Sequence, residues 1–292
     1  MRHIIKLKNL IDFLVCLLII FLIIIAICSD LPTPNLMRMM EGPSWASILG
    51  TDNLGRDLLG RVSRAITDSV IPVWLGSLLA TLSGFVVGIG FIRLAKNTYI
   101  SVFLTILSIL LAIPAVVLML GLSAIMEQNQ PAYIFGILFL LILIRSMFHL
   151  INLYQRDCQL EYWQANRILG GTEFQRCYRY GVCGAWLLDL LSVTVFHCNI
   201  SFVIESSMSY LGLGIQEPMV SFGNILASHF DTYLRGEFRI LFVVITTMTL
   251  VCYTMNVVKN LFLSYFLGKK LSNDRWGVTE SNSANIRRYV ET

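Results

Sequence analysis

The chain alternates long apolar runs with short polar breaks, and the runs fall at about 9–28, 70–92, 99–125, 132–152, 185–208 and 239–263. Each is close to or above the roughly 20 residues a helix needs to cross the hydrocarbon of a bilayer. Together they take more than half of the 292 residues, which leaves no room for a separate soluble domain of ordinary size. The pattern predicts an all-α membrane protein with about six transmembrane helices. The first run follows Arg2, Lys6 and Lys8, as a signal peptide would, but its apolar stretch from Phe13 to Cys28 is longer than a typical leader core. It has no small-x-small cleavage site, and Ile27 stands where lipoprotein-type processing at Cys28 wants a small residue. The run is therefore expected to stay as the first helix.

Composition agrees. Hydrophobic residues make up 56% and charged residues 14%, against about a quarter charged in soluble domains, and the mean hydropathy is +0.70. The net charge of +4 is positional. Segments on one side of the six spans hold Arg2, Lys6, Lys8, Arg93, Lys96, Arg156, Arg167, Arg176, Arg179, Lys269, Lys270, Arg275, Arg287 and Arg288. Those on the other hold Arg38, Arg56, Arg61, Arg64, Arg235 and Arg239, offset by more acidic residues. The excess of basic residues marks the cytoplasmic side, so both termini are expected in the cytoplasm, and nucleic-acid binding is not implied. The layout is then a tail and first helix at 1–28, an extracytoplasmic loop at 29–69, a permeating core at 70–265 with a cytoplasmic loop at 153–184, and a cytoplasmic tail at 266–292. A second outer loop covers 209–238.

Several chemistries are missing from the sequence. There is no GxxxxGK[ST] phosphate loop, HExxH or GxSxG, and the four histidines are far apart. The seven cysteines are scattered and odd in number, which argues for packing roles rather than disulfides or a metal. No catalytic, cofactor-binding or metal-ligating set can be assembled, so any driving energy is expected to be bound by a partner.

The stretch from Leu160 to Phe174 reads as two short helical pieces around Gly170-Gly171. Leu160, Trp163 and Ile168 give it an apolar side, while Glu161, Gln164 and Arg167 give a polar one. Such a helix can enter a groove on a soluble partner or lie on the membrane surface. Glu161, Tyr162, Ala165, Arg167, Leu169 and Gly170 match the E-Y-V-x-A-A-R-x-x-G-A-S coupling motif of ABC-importer permeases of the peptide branch, which this segment resembles. Asn166 and Gly171-Thr172 depart from it, as do Tyr180 and Cys183-Gly184 further on.

Two further segments carry the same resemblance. Gly50-Thr51-Asp52-Asn53-Leu54-Gly55-Arg56-Asp57-Leu58-Leu59-Gly60-Arg61 is similar to the G-T-D-x-x-G-R-D-x-x-S-R signature of the second (C-type) permease subunit of dipeptide, oligopeptide and nickel importers. Ser207 to Pro218 resembles that subunit's A-L-S-F-L-G-L-G-x-Q-x-P, and Ser221-Phe222-Gly223-Asn224 its S-W-G-N. Leu111-Ala112-Ile113-Pro114 resembles a step in its third span, whereas Val243-Val244 and Lys259-Asn260 replace its Pro-Gly and Gly-Asp. The resemblance implies the type I ABC-importer permease architecture, in a bacterial inner membrane. It also implies a second homologous permease, two ABC ATPase subunits that bind the ATP, and an extracytoplasmic substrate-binding protein. Glu161, Trp163, Ala165, Arg167 and Gly170 would then couple the chain to an ATPase, with Trp163 as an aromatic anchor.

Other residues have two readings each. Glu205 either lines or gates a pathway or is a carboxylate at the membrane interface; Tyr210, Gly212 and Gly214 are pathway or gate candidates beside it, though the two glycines most simply allow a tight re-entrant turn at the outer mouth. Arg56 and Asp57 form an ion pair, a docking contact with the binding protein, or both. Pro114 is a kink that serves as a hinge or only shapes packing. His197 is better read as a hydrogen-bonded packing residue than as a ligand, and Asp12, Asp189 and Arg145 as groups reaching out of the spans. The same fold could carry nickel or another metal chelate, a polyamine or an antimicrobial peptide. A secondary transporter outside the ABC class would be expected to show inverted repeats or broken spans, and no internal repeat is visible.

Overall fold

The computed structural model describes residues 2–28, 33–45, 47–94, 97–125, 131–170, 172, 175 and 186–273, and its regular structure is helical. Helix α1 is Arg2–Cys28. Helix α2 (Leu58–Ala65), a π-helical turn (Ile66–Val70) and α3 (Ile71–Leu94) follow without a break. Then come α4 (Asn97–Leu111), α5 (Ala115–Ile125), α6 (Pro131–Asp157), the short α7 (Glu161–Ile168) and α8 (Trp186–Tyr210). Helices α9 (Phe222–Ser228), α10 (Phe230–Leu234) and α11 (Arg239–Asn273) complete the chain. Five stretches, Leu10–Cys28, Leu58–Leu94, Ala132–Asp157, Trp186–Tyr210 and Arg239–Ser264, are each long and apolar enough to cross a membrane, and the bent pair α4–α5 makes a sixth. The chain is an all-α, multi-pass membrane protein.

The predicted boundaries shift in three places. Helix begins at Leu58, so the last part of the predicted 29–69 loop is helical: Asp57 caps it by accepting from the Gly60 N–H at 2.8 Å. Leu58, Val62 and Ala65 anchor that start in the core. The predicted tail at 266–292 begins as helix, because α11 continues to Asn273; residues 274–292 lie outside the described residues. The third span, expected as one helix over 99–125 kinked at Pro114, is broken there. Tyr99–Leu111 and Ala115–Ser123 diverge by 73°, because a proline gives no backbone donor and clashes with the preceding turn.

Packing centres on α3 against α6. The buried face of α3 carries small residues, Ser77, Ala80, Thr81, Gly84 and Gly88, and small residues let spanning helices approach closely. A Cβ at Gly84 would stand 2.5 Å from the Leu143 carbonyl oxygen of α6. Beside it, the Ser146 hydroxyl donates to the Thr81 carbonyl at 2.8 Å. Helix α8 runs through the middle and touches α3, α5, α6, α9 and α11. Its buried stripe is unusually polar, with Thr194, His197, Ser201, Glu205, Ser206 and Ser209.

The contact at Gly84 yields a prediction. Gly84→Leu drives a side chain into a fixed carbonyl and should cost more than about 3 kcal/mol. The detergent-solubilised variant should aggregate or unfold at lower temperature in a thermal-shift assay. Gly90→Leu, with nothing within 4 Å of its Cβ, should melt like the wild type.

Candidate functional site

The segment 50–61, singled out by its sequence, folds into a charged clasp between two loops. Its glycines make the turn: Gly50 (φ +79°) and Gly55 (φ +69°) lie in the left-handed region, and the backbone packs so tightly that a Cβ at Gly55 would overlap the Asn35 carbonyl. Asp52, wholly buried, accepts from the backbone N–H groups of Leu54 and Arg56 at 2.9 and 2.8 Å. Its second oxygen accepts from Arg56 Nε and Arg61 Nη1, both at 2.8 Å. The two guanidinium groups then reach Glu217 in the loop after α8, at 2.7 and 3.4 Å. Thr51 donates its hydroxyl to the Arg38 carbonyl and accepts from the Glu41 N–H at 2.9 Å. From α11, Arg239 donates to the carbonyls of Glu41 and Thr51 at 2.7 and 3.0 Å. The Asn53 amide donates to the Ser228 carbonyl at 2.7 Å.

Of the readings open for Arg56 and Asp57, an ion pair between them is not formed. Asp57 is the N-cap of α2, and the partners of Arg56 are Asp52 and Glu217. Burial pushes the Asp52 carboxyl upward, but hydrogen bonds from Arg56 and Arg61 and the Arg56 charge outweigh it and hold the group below its ordinary 3.8.

Behind the clasp, Glu205 is fully buried within the chain. Three hydroxyls donate to it: Ser69 at 2.5 Å, Ser209 at 2.7 Å and Ser206 at 3.4 Å. Ser69 belongs to the π-helical turn, an irregularity that recurs at functional positions. Ser209 also accepts from the Ile215 N–H at 2.9 Å, which folds the 211–221 loop back over the end of α8. Gly212 turns that loop at φ +76°, and Gly214 lies so close to Ser209 that a Cβ would stand 2.2 Å from its hydroxyl. Tyr210 is partly exposed beside it. The Ser221–Asn224 motif is a reciprocal cap on α9: each side chain accepts from the other's backbone N–H at 3.1 Å.

At the other end of the bundle, α7 departs from its predicted amphipathic split. Trp163, expected as the anchor for a partner, is buried in this chain's own core. It stacks on Trp186 at 6.3 Å and meets Tyr154 edge-on at 5.9 Å, and the Trp186 indole donates to Asp157 at 2.7 Å. Leu160 and Ile168 face outward as predicted, joined by Leu169, and the most exposed are Ile168 and Leu169 at 86% and 84%. Glu161 and Arg167 stand at the first and last turns of α7, each at the end its charge favours, with Ala165 between. Gly170 ends it at φ +81°. The second helical piece expected after Gly171 lies outside the described residues, apart from Thr172 and Gln175.

Among the described residues, no group of three or more histidine, cysteine or acidic side chains comes together. His197 is buried against the Thr81 hydroxyl at 3.0 Å, as its packing reading expects. Asp12 and Asp189 meet Tyr253 at 2.5 Å and Arg156 at 3.8 Å. Sequence reasoning missed Arg61, Glu217 and Arg239 in the clasp, and Asp157 and Trp186 beside α7. The signal for Arg61 was its place at the end of the quoted motif; long-range partners leave none in a single sequence.

No protein-family model matches the chain. It is 26% identical over 241 residues to a Brucella suis protein provisionally named a peptide transport system permease, covering 78% of this chain and 77% of that one. A second Brucella suis protein, provisionally named a peptide permease, is 25% identical over 207 residues, 70% of this chain and 67% of its own. The glutathione transport system permease protein GsiD of Pectobacterium atrosepticum is 26% identical over 201 residues, 65% of this chain and 62% of its own.

The clasp predicts its own acid sensitivity. Because the folded Asp52 carboxyl lies below its ordinary 3.8, its stabilisation is complete above that value and is lost as pH falls through the lowered one. Protection of the amides of residues 50–57, relative to the unstructured exchange rate at each pH, should therefore hold down to pH 3.8 and fall below it. Asp52→Asn should raise exchange at neutral pH and flatten that profile, since breaking a buried ion pair costs about 3–5 kcal/mol. Glu217→Gln, at a half-exposed partner, should cost at most about 1 kcal/mol.

Proposed function

We propose that this chain is a membrane-spanning permease subunit of an ATP-driven ABC importer of peptides, working in the bacterial inner membrane. The single observation that carries the reading is the coincidence of two things: a likeness to peptide permeases over most of the chain, and motifs that each have a physical role in the fold. The 50–61 motif builds the clasp, the 207–224 motifs build the folded-back loop and its cap, and the 161–170 motif builds an exposed helix at the opposite end.

In this reading the chain pairs with a second permease, and the translocation path lies between them. Two ATPase subunits bind and hydrolyse ATP, and an extracytoplasmic binding protein delivers the peptide; the chain itself is non-catalytic. Ile168 and Leu169 enter a groove on one ATPase, as exposed apolar groups on a short helix do. Closure of the ATPases moves α7. Trp163, stacked on Trp186, passes that movement to the start of α8, whose far end is held by the Glu205 hydroxyl cage and the clasp. Alternation between inward- and outward-open states follows as a shift between two packings. The 73° break at Pro114 fits a secondary transporter instead. That alternative leaves the exposed α7 motif without a role.

The orientation follows from the basic-residue count: the clasp faces outside and α7 faces the cytoplasm. With the seven native cysteines replaced, Ser44→Cys should react with an impermeant thiol reagent in intact cells and Thr172→Cys should not; the reverse pattern overturns the orientation.

Docking gives the functional test. Leu169→Glu places a charge on an apolar, 84% exposed position and should leave the melting temperature unchanged. It should remove the ATPases from the purified complex and abolish ATP-driven peptide uptake in proteoliposomes. Gly170→Val strains a left-handed turn by about 1–3 kcal/mol and should reduce uptake by tenfold or so. Full uptake by the Leu169 variant, or by the chain without any ATPase, contradicts the proposal.

A further inference from the structure

Arg145, expected from the sequence to reach out of its span, stands at the middle of it. Ala132 and Asp157 end that span, and at about 1.5 Å per residue they lie about 20 and about 18 Å away along α6. Lipid phosphates, about 15 Å or more from the middle of the hydrocarbon, are out of its reach. The side chain is part-buried, its guanidinium nitrogens keep accessible surface, and among the described residues they meet no acceptor. An ionisable group so deep in a span faces a cavity or a partner rather than lipid.

The face of α6 that carries Arg145 changes character there. On one side of it Leu141, Leu138 and Ile134 recur at helical spacing and join Ile204 and Met208 of α8 in one apolar cluster. On the other side the same spacing brings His149, Asn152 and Arg156. Asn152 is exposed, and Arg156 meets Asp189 of α8 at 3.8 Å, their side chains 61% and 41% exposed. His197 of α8 stands within reach of the Arg145 charge, so this stripe also looks toward α8. The two helices are thus sealed by apolar packing in the outer half, and a polar stripe opens from mid-membrane to the end that the basic residues put in the cytoplasm.

Hydrocarbon is a poor cover for such a stripe along its whole length, whereas water can enter from its open end. A single acid on a neighbouring subunit would neutralise Arg145 but leave the polar positions below it uncovered; a wet wedge accounts for both. Arg156 has Asp189, which leaves Arg145 as the cation at the closed end with no counter-ion among the described residues. Resting on the permease reading, we infer that the stripe lines a water-filled wedge open to the cytoplasm, in which Arg145 takes the carboxylate of a peptide in transit. Every linear peptide ends in that group, and guanidinium matches it in shape and charge, so one arginine recognises the class without reading side chains.

One measurement asks whether water reaches the stripe. With the seven native cysteines replaced, the assembled complex in inside-out membrane vesicles is treated with a membrane-impermeant thiol reagent. Arg145→Cys should be labelled, and Leu138→Cys, on the same face in the sealed half, should not. An unlabelled Arg145→Cys overturns the inference, because lipid or a partner subunit then covers the position. If Arg145→Cys does not assemble, His149→Cys, one turn along the stripe, decides in the same way. A second measurement asks what Arg145 holds. The complex with its binding protein, in proteoliposomes, is offered equimolar di- and tripeptides and their C-terminal amides, with uptake read by mass spectrometry. Arg145→Gln should cut the acid-to-amide uptake ratio about tenfold, the value of one charge-assisted hydrogen bond, while Arg145→Lys keeps most of it. The binding protein's own preference cancels between variants. An unchanged ratio overturns the inference and leaves the permease reading intact. An Arg145→Gln chain that folds but no longer holds the second permease assigns the arginine to a partner's acid, and overturns it too. ATP-dependent uptake of no peptide by the wild type overturns the permease reading and the ligand with it, while the labelling alone still decides the wedge.

Discussion

A spanning helix cannot give its polar groups to water, so each must find a partner inside the protein. That constraint organises this molecule. It places Ser146 against the Thr81 carbonyl where α3 and α6 nearly touch, and His197 against the Thr81 hydroxyl. It surrounds Glu205 with three serine hydroxyls, one of them from the π-helical turn before α3.

The two ends of the bundle answer it in different ways. At one end, Asp52, Arg56, Arg61 and Glu217 satisfy one another and tie the first long loop to the loop after α8. Buried ion pairs contribute little net stability, but removing one partner is costly, so they fix an arrangement rather than strengthen it. At the other end the contacts are aromatic stacks among Tyr154, Trp163 and Trp186, with one hydrogen bond from Trp186 to Asp157. Stacked rings tolerate sliding better than a four-charge network with set geometry. A fixed end and a movable end are what a helix bundle needs to rock.

Much of this was legible in the sequence, and for definable reasons. Length and apolarity alone marked the six spans, because hydrocarbon thickness fixes helix length. Pro114 was visible as a kink, though not as a full break, and Gly170 and Gly212 as turns. The motif around Asp52 was visible as a motif, yet its pairing was left open: adjacency allowed Arg56 with Asp57, whereas the capping geometry takes Asp57 and leaves Arg56 for Asp52 and Glu217. Trp163 was misassigned for a related reason. Helical periodicity puts it on an apolar face but does not say whether that face meets a partner or the chain's own Trp186. Contacts such as Arg56 with Glu217, far apart in sequence, leave no trace in a single chain.

The central claim is that ATPase movement reaches the spans through the Trp163–Trp186 stack. The direct measurement is peptide transported per ATP hydrolysed by the reconstituted complex carrying Trp163→Leu. The outward residues of α7 remain, so the ATPases should still co-purify and hydrolyse ATP. With the stack gone, uptake per ATP should fall by about tenfold, the effect of losing roughly 1.4 kcal/mol of coupling. An assembled variant that transports as many peptides per ATP as the wild type would contradict the account.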